Sequence, residues 1–236
     1  MRPGQAILVS PGVYQLQALA ARVTALLEDG QVVLVDAGAR GSMGLISAGL
    51  RALGYTPDRV RLVVVSHYHP DHIGNLASLV RATSAPVAAH RLEAPVVAGE
   101  VPLPAPHRYR VVAGLTRPLL PVFHEGPTGV NHLLDDGDSL PGAPDVQVIH
   151  TPGHTPGSIC LHLASRRLII VGDALQHRFG RLLPPASSVT QDPAQAMESL
   201  KKLLALDFDT ICFSHSSAMK TGGRQALLRL LQTTPP

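Results

Sequence analysis

Aromatic residues are scarce in this 236-residue chain: no tryptophan, four tyrosines and four phenylalanines, 3% in all. Hydrophobic residues still make up 45% of it, so the core has to be built from Val, Leu, Ile and Ala. Only two cysteines occur, Cys160 and Cys212. Both sit inside apolar, strand-like runs with no CxxC neighbour, which predicts small buried thiols rather than a disulfide or a cysteine metal pair. Long runs of one charge are missing as well. The balance of 20 Lys+Arg against 17 Asp+Glu gives a pI of about 9.1 without a basic patch that would argue for nucleic acid. The nearest to one, Arg166-Arg167, fits a tight turn between two strands. Nor is there a long hydrophobic run. Ala6 to Val9 is too short for a signal-peptide core or a membrane span, so a cytoplasmic protein with no membrane partner is expected. The length suits a single domain over residues 1-236.

Against this plain composition stands His67-Tyr68-His69-Pro70-Asp71-His72, three imidazoles and a carboxylate in six residues. It follows Leu62-Val63-Val64-Val65, which reads as a buried strand. Such a polar cluster at the end of a core strand is costly unless something binds it. Neutral imidazole nitrogens and carboxylate oxygens are the usual ligands of a divalent metal. Three more apolar runs end in the same way: Val146-Gln147-Val148-Ile149 before Thr151-Pro152-Gly153-His154-Thr155-Pro156-Gly157, Ile169-Ile170-Val171 before Gly172-Asp173, and Thr210-Ile211-Cys212-Phe213 before Ser214-His215. Carboxyl ends of strands are where open α/β sheets gather their ligand sites. Taken singly, Asp71 reads as a helix N-cap and His154 as a turn residue. Taken in order, the set reads as a metal site.

Helices are expected over Ser42 to Leu53, Gly74 to Thr83, from Asp192-Pro193 (an N-cap followed by proline at the first helical position) and from about Gly223 to Gln232. Glu28-Asp29-Gly30 predicts a hairpin into Gln31 to Val35, and short strands are expected at Ala85 to Ala89, Val146 to His150, Ser158 to Leu163, Leu168 to Val171 and Thr210 to Phe213. Strands flanked by helices in both halves predict an α/β fold, a four-layer αββα sandwich. Gly99 to Gly129, rich in proline, and Ala174 to Gln191 show no regular pattern; loops of that length inside a compact fold are expected to wall a substrate cleft.

The ordered residues resemble the metallo-β-lactamase fold superfamily, binuclear metallohydrolases with an HxHxDH motif. The resemblance runs from the strands before Asp36 to the helix after His215, and it implies the same αββα sandwich. It further implies that His67, His69 and His154 hold a first metal, that Asp71, His72 and His215 hold a second, and that Asp173 bridges them. Asp36, closing Val33-Leu34-Val35, would brace the ligand loop. Many members read Gly-His-Gly where this chain has Ser214-His215-Ser216, a change small enough to keep the ligand. The cofactors so implied are two divalent ions, zinc first, with iron or manganese accepted by the same ligands. Water activated between the metals would attack a carbonyl or phosphoryl centre, with Asp71 as proton acceptor.

Asp173 in the bridging position argues against true β-lactamases, and HxHxDH argues against the diiron flavoprotein oxidases. Glyoxalase II enzymes share the ligand set but add a C-terminal helical region with basic residues. Quorum-quenching lactonases place a tyrosine where this chain has Gln176. The expected activity is therefore hydrolysis of a small ester, thioester or lactone. The alternatives are a persulfide dioxygenase with a single iron, an RNA or phosphodiester hydrolase of the same superfamily, and a non-catalytic binder. His177 is a candidate proton donor facing the cleft, and Arg178 and Arg181 are candidate contacts to a substrate carboxylate or phosphate; the plainer alternative for all three is a solvated loop. His90, His107, His124, His132, His150 and His162 have no ordered partners in sequence and read as structural or surface residues.

Overall fold

The computed structural model describes residues 4–105 and 120–233, together with Val112, Gly114, Leu115 and Pro118. Strands β1 (Ala6–Ser10), β2 (Val13–Gln17), β3 (Arg22–Glu28), β4 (Gln31–Val35), β5 (Val60–Val65), β6 (Val87–His90) and β7 (His132–Leu134) pair in sequence order into one sheet. Its first four strands are antiparallel and its last four run parallel. The β3–β4 turn is Asp29-Gly30, both at positive φ, the geometry of a two-residue hairpin whose twist matches its strands. A second sheet has the order β14-β11-β10-β9-β8, formed by β8 (Ser139–Leu140), β9 (Ala143–His150), β10 (Ile159–Leu163), β11 (Leu168–Ile170) and β14 (Thr210–Cys212). Because β10 runs antiparallel to both β9 and β11, and β14 is parallel to β11, strands β9, β11 and β14 share one direction.

Side-chain alternation explains how four layers arise without large aromatics. Val33 and Val35 of β4 point into a core shared with Leu161, Leu163, Leu168 and Ile170 of the other sheet. Val32 and Leu34, on the opposite face, pack against Ile46 and Leu50 of helix α1 (Met43–Ala52) and Leu79 of α3 (Leu76–Thr83). In the second sheet Ile169 and Ile211 turn outward onto Leu200 and Leu203 of α6 (Pro193–Leu203) and Leu227 and Leu230 of α7 (Gly223–Thr233). Strand segments covered on both faces need apolar residues at successive positions, which is why Leu62 to Val65 of β5 read as a continuous run. The four-layer αββα sandwich is as the sequence indicates. Asp192 caps α6 by accepting from Gln195 N at 2.9 Å. Cys160 and Cys212 are both buried and free. No helix among the described residues is long and apolar enough to cross a membrane.

Two expectations are corrected. The helix anticipated from Gly74 begins at Leu76 and is preceded by a separate short helix, α2 (Pro70–Ile73). Asn75 leaves the helical conformation at φ −105° and its N–H donates to Gly38 O at 3.0 Å, outside the helix, which interrupts the run between the two. The segment Ala174 to Gln191 is not patternless: it holds the hairpin β12 (Gln176–Arg178) and β13 (Arg181–Leu183) and a 3-10 turn at Ser187–Val189. Three-residue strands are too short to show a period. In the other irregular segment, α4 (Ala94–Val97) precedes Gly99 and α5 (Leu120–Phe123) lies within the proline-rich stretch. Pro106 and His107 lie outside the described residues.

Candidate metal centre

Every strand that points towards one edge of the sandwich ends in a polar residue. Asp36 follows β4, Ser66 to His72 follow β5, His154 lies in the loop after β9, Asp173 follows β11 and His215 follows β14. The two sheets are tied together at this edge. Arg22 N donates to Ser214 O at 2.7 Å, Ile159 N donates to Ser66 O at 3.0 Å, and the buried Gln15 amide donates to Phe213 O at 2.7 Å and Ser216 O at 2.9 Å. The bonds to Phe213, Ser214 and Ser216 hold the chain around His215 through its backbone carbonyls.

The structure brings the sequence-predicted ligands into three overlapping groups. His67, His69 and His154 form one, Asp71, His72 and His215 another, and His67, His72 and Asp173 join the two; in each, the ligand atoms lie within 4.8 Å of one another. Asp173 Oδ2 is 3.6 Å from His154 Nε2 and Asp173 Oδ1 is 3.4 Å from His72 Nε2, so one carboxylate faces both groups. Asp71 Oδ2 lies 3.4 Å from His215 Nε2 and is the more open of the two acids, with a third of its side chain exposed (32%).

The hydrogen bonds behind these side chains assign their tautomers. Ser66 donates its hydroxyl to Asp36 Oδ2 at 2.8 Å, so its oxygen accepts from His67 Nδ1 at 3.1 Å. Thr190 donates to Ala186 O at 2.9 Å, so its oxygen accepts from His154 Nδ1 at 3.1 Å. His72 Nδ1 donates to Asp36 Oδ2 at 2.8 Å, and His215 Nδ1 donates to Ala20 O at 3.0 Å. Four imidazoles thus use Nδ1–H on protein acceptors and turn Nε2 to the cluster. Asp36 accepts three bonds in all, the third from Ser66 N at 2.8 Å, and holds a left-handed φ of 68°. Aspartate tolerates that conformation better than most residues, and such strain gathers at functional sites.

This donor set fits a cation. His154 Nε2 lies 3.2 Å from His67 Nε2 and 3.0 Å from His69 Nδ1. With Nδ1 protonated in both His67 and His154, two lone pairs face each other and repel unless a positive charge lies between them. Burial reinforces the neutral form: it holds His67 well below the ordinary imidazole range and takes His154 down to about 4. In the second group burial also opposes charge on His72, but Asp36, Asp173 and Asp71 outweigh it and hold its pKa well above the usual value. Burial likewise opposes ionisation of Asp173, yet His72 and His215 keep it well below the usual carboxylate range. His72 Nε2 and Asp173 Oδ1 are nonetheless buried without a hydrogen-bond partner among the described residues, as groups awaiting a metal would be.

The residue pattern matches the family model of the metallo-beta-lactamase superfamily over residues 17–215. The chain belongs to that superfamily. It is 29% identical to Probable metallo-hydrolase YflN of Bacillus subtilis over 237 residues, 93% of this chain and 89% of that protein. It is 30% identical to a hydroxyacylglutathione hydrolase of Cereibacter sphaeroides over 197 residues, covering 80% of this chain but 63% of that one. Among solved structures, a metallo-beta-lactamase family protein of Thermus thermophilus superposes with a TM-score of 0.72 at 22% identity, covering 95% of this chain and 80% of that one. Membership makes the chain a metallohydrolase, and its histidine-rich edge offers the donor groups that a divalent-metal site needs.

The substrate-contact candidates fare differently. His177 is stacked on Phe213, ring centroids 5.6 Å apart. Arg178 and Arg181 are exposed and flank the hairpin tip Phe179-Gly180. Arg181 lines a cavity of about 540 Å³ with Met219 and Leu230, between the hairpin and α7. Among the described residues, no hydrogen bond or ion pair joins these three side chains to the histidine cluster. Of the remaining histidines, His90 stacks on His150 at 4.0 Å, and His162 Nε2 donates to Asp207 O at 2.9 Å. One residue escaped the sequence reading altogether. Glu93, fully buried, bonds to both loops that carry the first histidine group; as a lone acid in Arg91-Leu92-Glu93-Ala94 it looks like any helix-start glutamate.

Proposed function

We propose that the chain is a two-metal hydrolase of small thioesters, esters or lactones, with zinc as the working metal. His67, His69 and His154 would hold one ion, Asp71, His72 and His215 the other, and Asp173 would contact both. The observation that carries this reading is the set of four imidazoles with Nδ1–H bound to protein acceptors and Nε2 turned to one cluster. Thioesters head the substrate classes because hydroxyacylglutathione hydrolases are among the relatives; the part of those proteins beyond this chain is not carried over.

When bound, divalent metals there supply Lewis-acid polarisation of the scissile carbonyl and water of pKa about 7. The protein's own groups do the rest. Asp36 and Ser66 fix the imidazole planes, so little reorganisation accompanies the reaction. Asp71, the partly open carboxylate, orients the attacking water and accepts its proton. His215, its Nδ1–H held by Ala20 O at 3.0 Å, keeps Nε2 beside Asp71 at 3.4 Å.

Metal analysis of protein purified without added metal, joined to a panel of thioesters, lactones and phosphodiesters with chelated controls, tests the reading. Two zinc ions per chain and thioester or lactone turnover that chelation abolishes would support it. A single iron with oxygen uptake on a persulfide would replace it, and turnover of phosphodiesters alone would move the substrate class.

A further inference from the structure

Glu93 stands at the start of α4, outside the ligand set, yet its two oxygens reach both loops that carry the first histidine group. Oε2 accepts from Tyr68 N at 2.7 Å, the peptide unit between His67 and His69. Oε1 accepts from Gly157 N at 2.7 Å and from the Thr155 hydroxyl at 2.9 Å, on either side of the turn that follows His154. Glu93 is buried completely. A carboxylate with no water contact and three donated bonds is an expensive feature to keep for packing alone.

We propose that Glu93 is the positioning residue of the first metal subsite, locking the His67–His69 loop to the His154 loop so that their three nitrogens converge. The proposal rests on the reading that these histidines hold a metal. It divides the support of the centre between two acids: Asp36 fixes His72 and, through Ser66, the back of His67, while Glu93 fixes the spacing of the two loops. Tyr68 follows the same logic. Its backbone is held by Glu93, its ring is buried, and its hydroxyl accepts from the Gln191 amide, next to the Thr190 that orients His154.

Gly157 gives the bridge an independent handle. A Cβ at that position would lie 2.8 Å from Glu93 Cγ and Oε1 and 2.9 Å from His90 Nδ1, closer than real side chains approach. A side chain at 157 therefore crowds the carboxylate against its donors and the His90 ring while leaving its charge in place.

The test uses cobalt(II) as probe, because its visible bands report coordination geometry. Full-length unaltered protein, Glu93→Gln and Gly157→Ala are stripped of metal, checked for fold by circular dichroism, and titrated with cobalt against a chelator. Glutamine has one acceptor oxygen and cannot serve both loops. Both variants are expected to bind cobalt about 10- to 100-fold more weakly, with altered visible bands, while their circular dichroism matches that of the unaltered chain. Variants that fold and bind cobalt with unchanged affinity and spectrum would overturn the proposal while leaving the metal reading intact. If the unaltered chain takes up no cobalt, the metal reading falls and the proposal with it. Should Glu93→Gln fail to fold, Gly157→Ala decides the matter by the same criteria.

Discussion

His72 Nδ1 lies 2.8 Å from Asp36 Oδ2, and both side chains are buried. This bond determines which imidazole nitrogen is left for the centre, since a donor at Nδ1 leaves Nε2 as the free lone pair. Asp36→Asn keeps the shape but removes an acceptor oxygen that serves both His72 and Ser66. Metal affinity is expected to fall about 10- to 100-fold, and the metal-free protein to lose about 1–3 kcal/mol for the orphaned donors. Chelator competition and urea unfolding measure the two effects; unchanged affinity would show that the bond does not orient His72.

Asp71 is expected to matter for turnover more than for binding. Its carboxylate would be one of several metal contacts, and it is the more open of the two acids that face the histidines. Asp71→Asn should retain at least one metal per chain and lower kcat by about 10²- to 10⁴-fold, the usual contribution of a positioned acid or base. Full turnover with both metals bound would remove it from the proton-acceptor role.

Removing the metal should destabilise the fold. Metal binds the native arrangement and not the dispersed ligands of the unfolded chain, so each site filled at a thousandfold its Kd adds about 4 kcal/mol. A chelated sample is expected to melt at a lower temperature, and re-addition of zinc should restore the transition. Identical melting curves would mean that the cluster holds no structural ion.

The two cysteines offer a simple check on the packing. Burial pushes the Cys160 thiol up to about 12 and the Cys212 thiol up to about 11. Because the thiolate is the reactive form, a colorimetric thiol reagent at neutral pH should find none in the folded protein and two in denaturant. A fast-reacting thiol in the native state would contradict the buried strands that contain them.

The clustering of the candidate ligands was legible because each follows an apolar strand, and strand direction carries all of them to one edge. The layers were legible because the strands are apolar on both faces. What sequence could not reveal is pairing across long separations. Glu93 meets Gly157 across 64 positions, and Gln15 meets Phe213 across 198; neither carries a local signal. The hairpin at Gln176–Arg178 and Arg181–Leu183 was missed for a different reason, its strands being shorter than any period can register. Its placement sets Arg181 beside α7, and His177 against the Phe213 ring, with no bond from either to the ligands among the described residues.

Glu93 also makes a prediction about pH. Burial pushes its pKa from the ordinary 4.5 up to about 7, although the bonds from Thr155, Gly157 and Tyr68 pull the other way. As pH rises from 4.5, the unfolded chain gives up this proton first, so the native state holds more protons across that window. Stability then falls with rising pH, levelling off above about 7. At 1.36 kcal/mol per unit the full effect is about 3 kcal/mol. Glu93→Gln carries no such proton, so its stability relative to the unaltered chain should improve from pH 5 to about pH 7 and then level off towards pH 8. Urea midpoints in chelator at those two pH values measure the change, and comparison between the two proteins cancels the histidines that titrate in both. A constant difference across the range would mean that the three donors keep Glu93 ionised throughout, winning over burial.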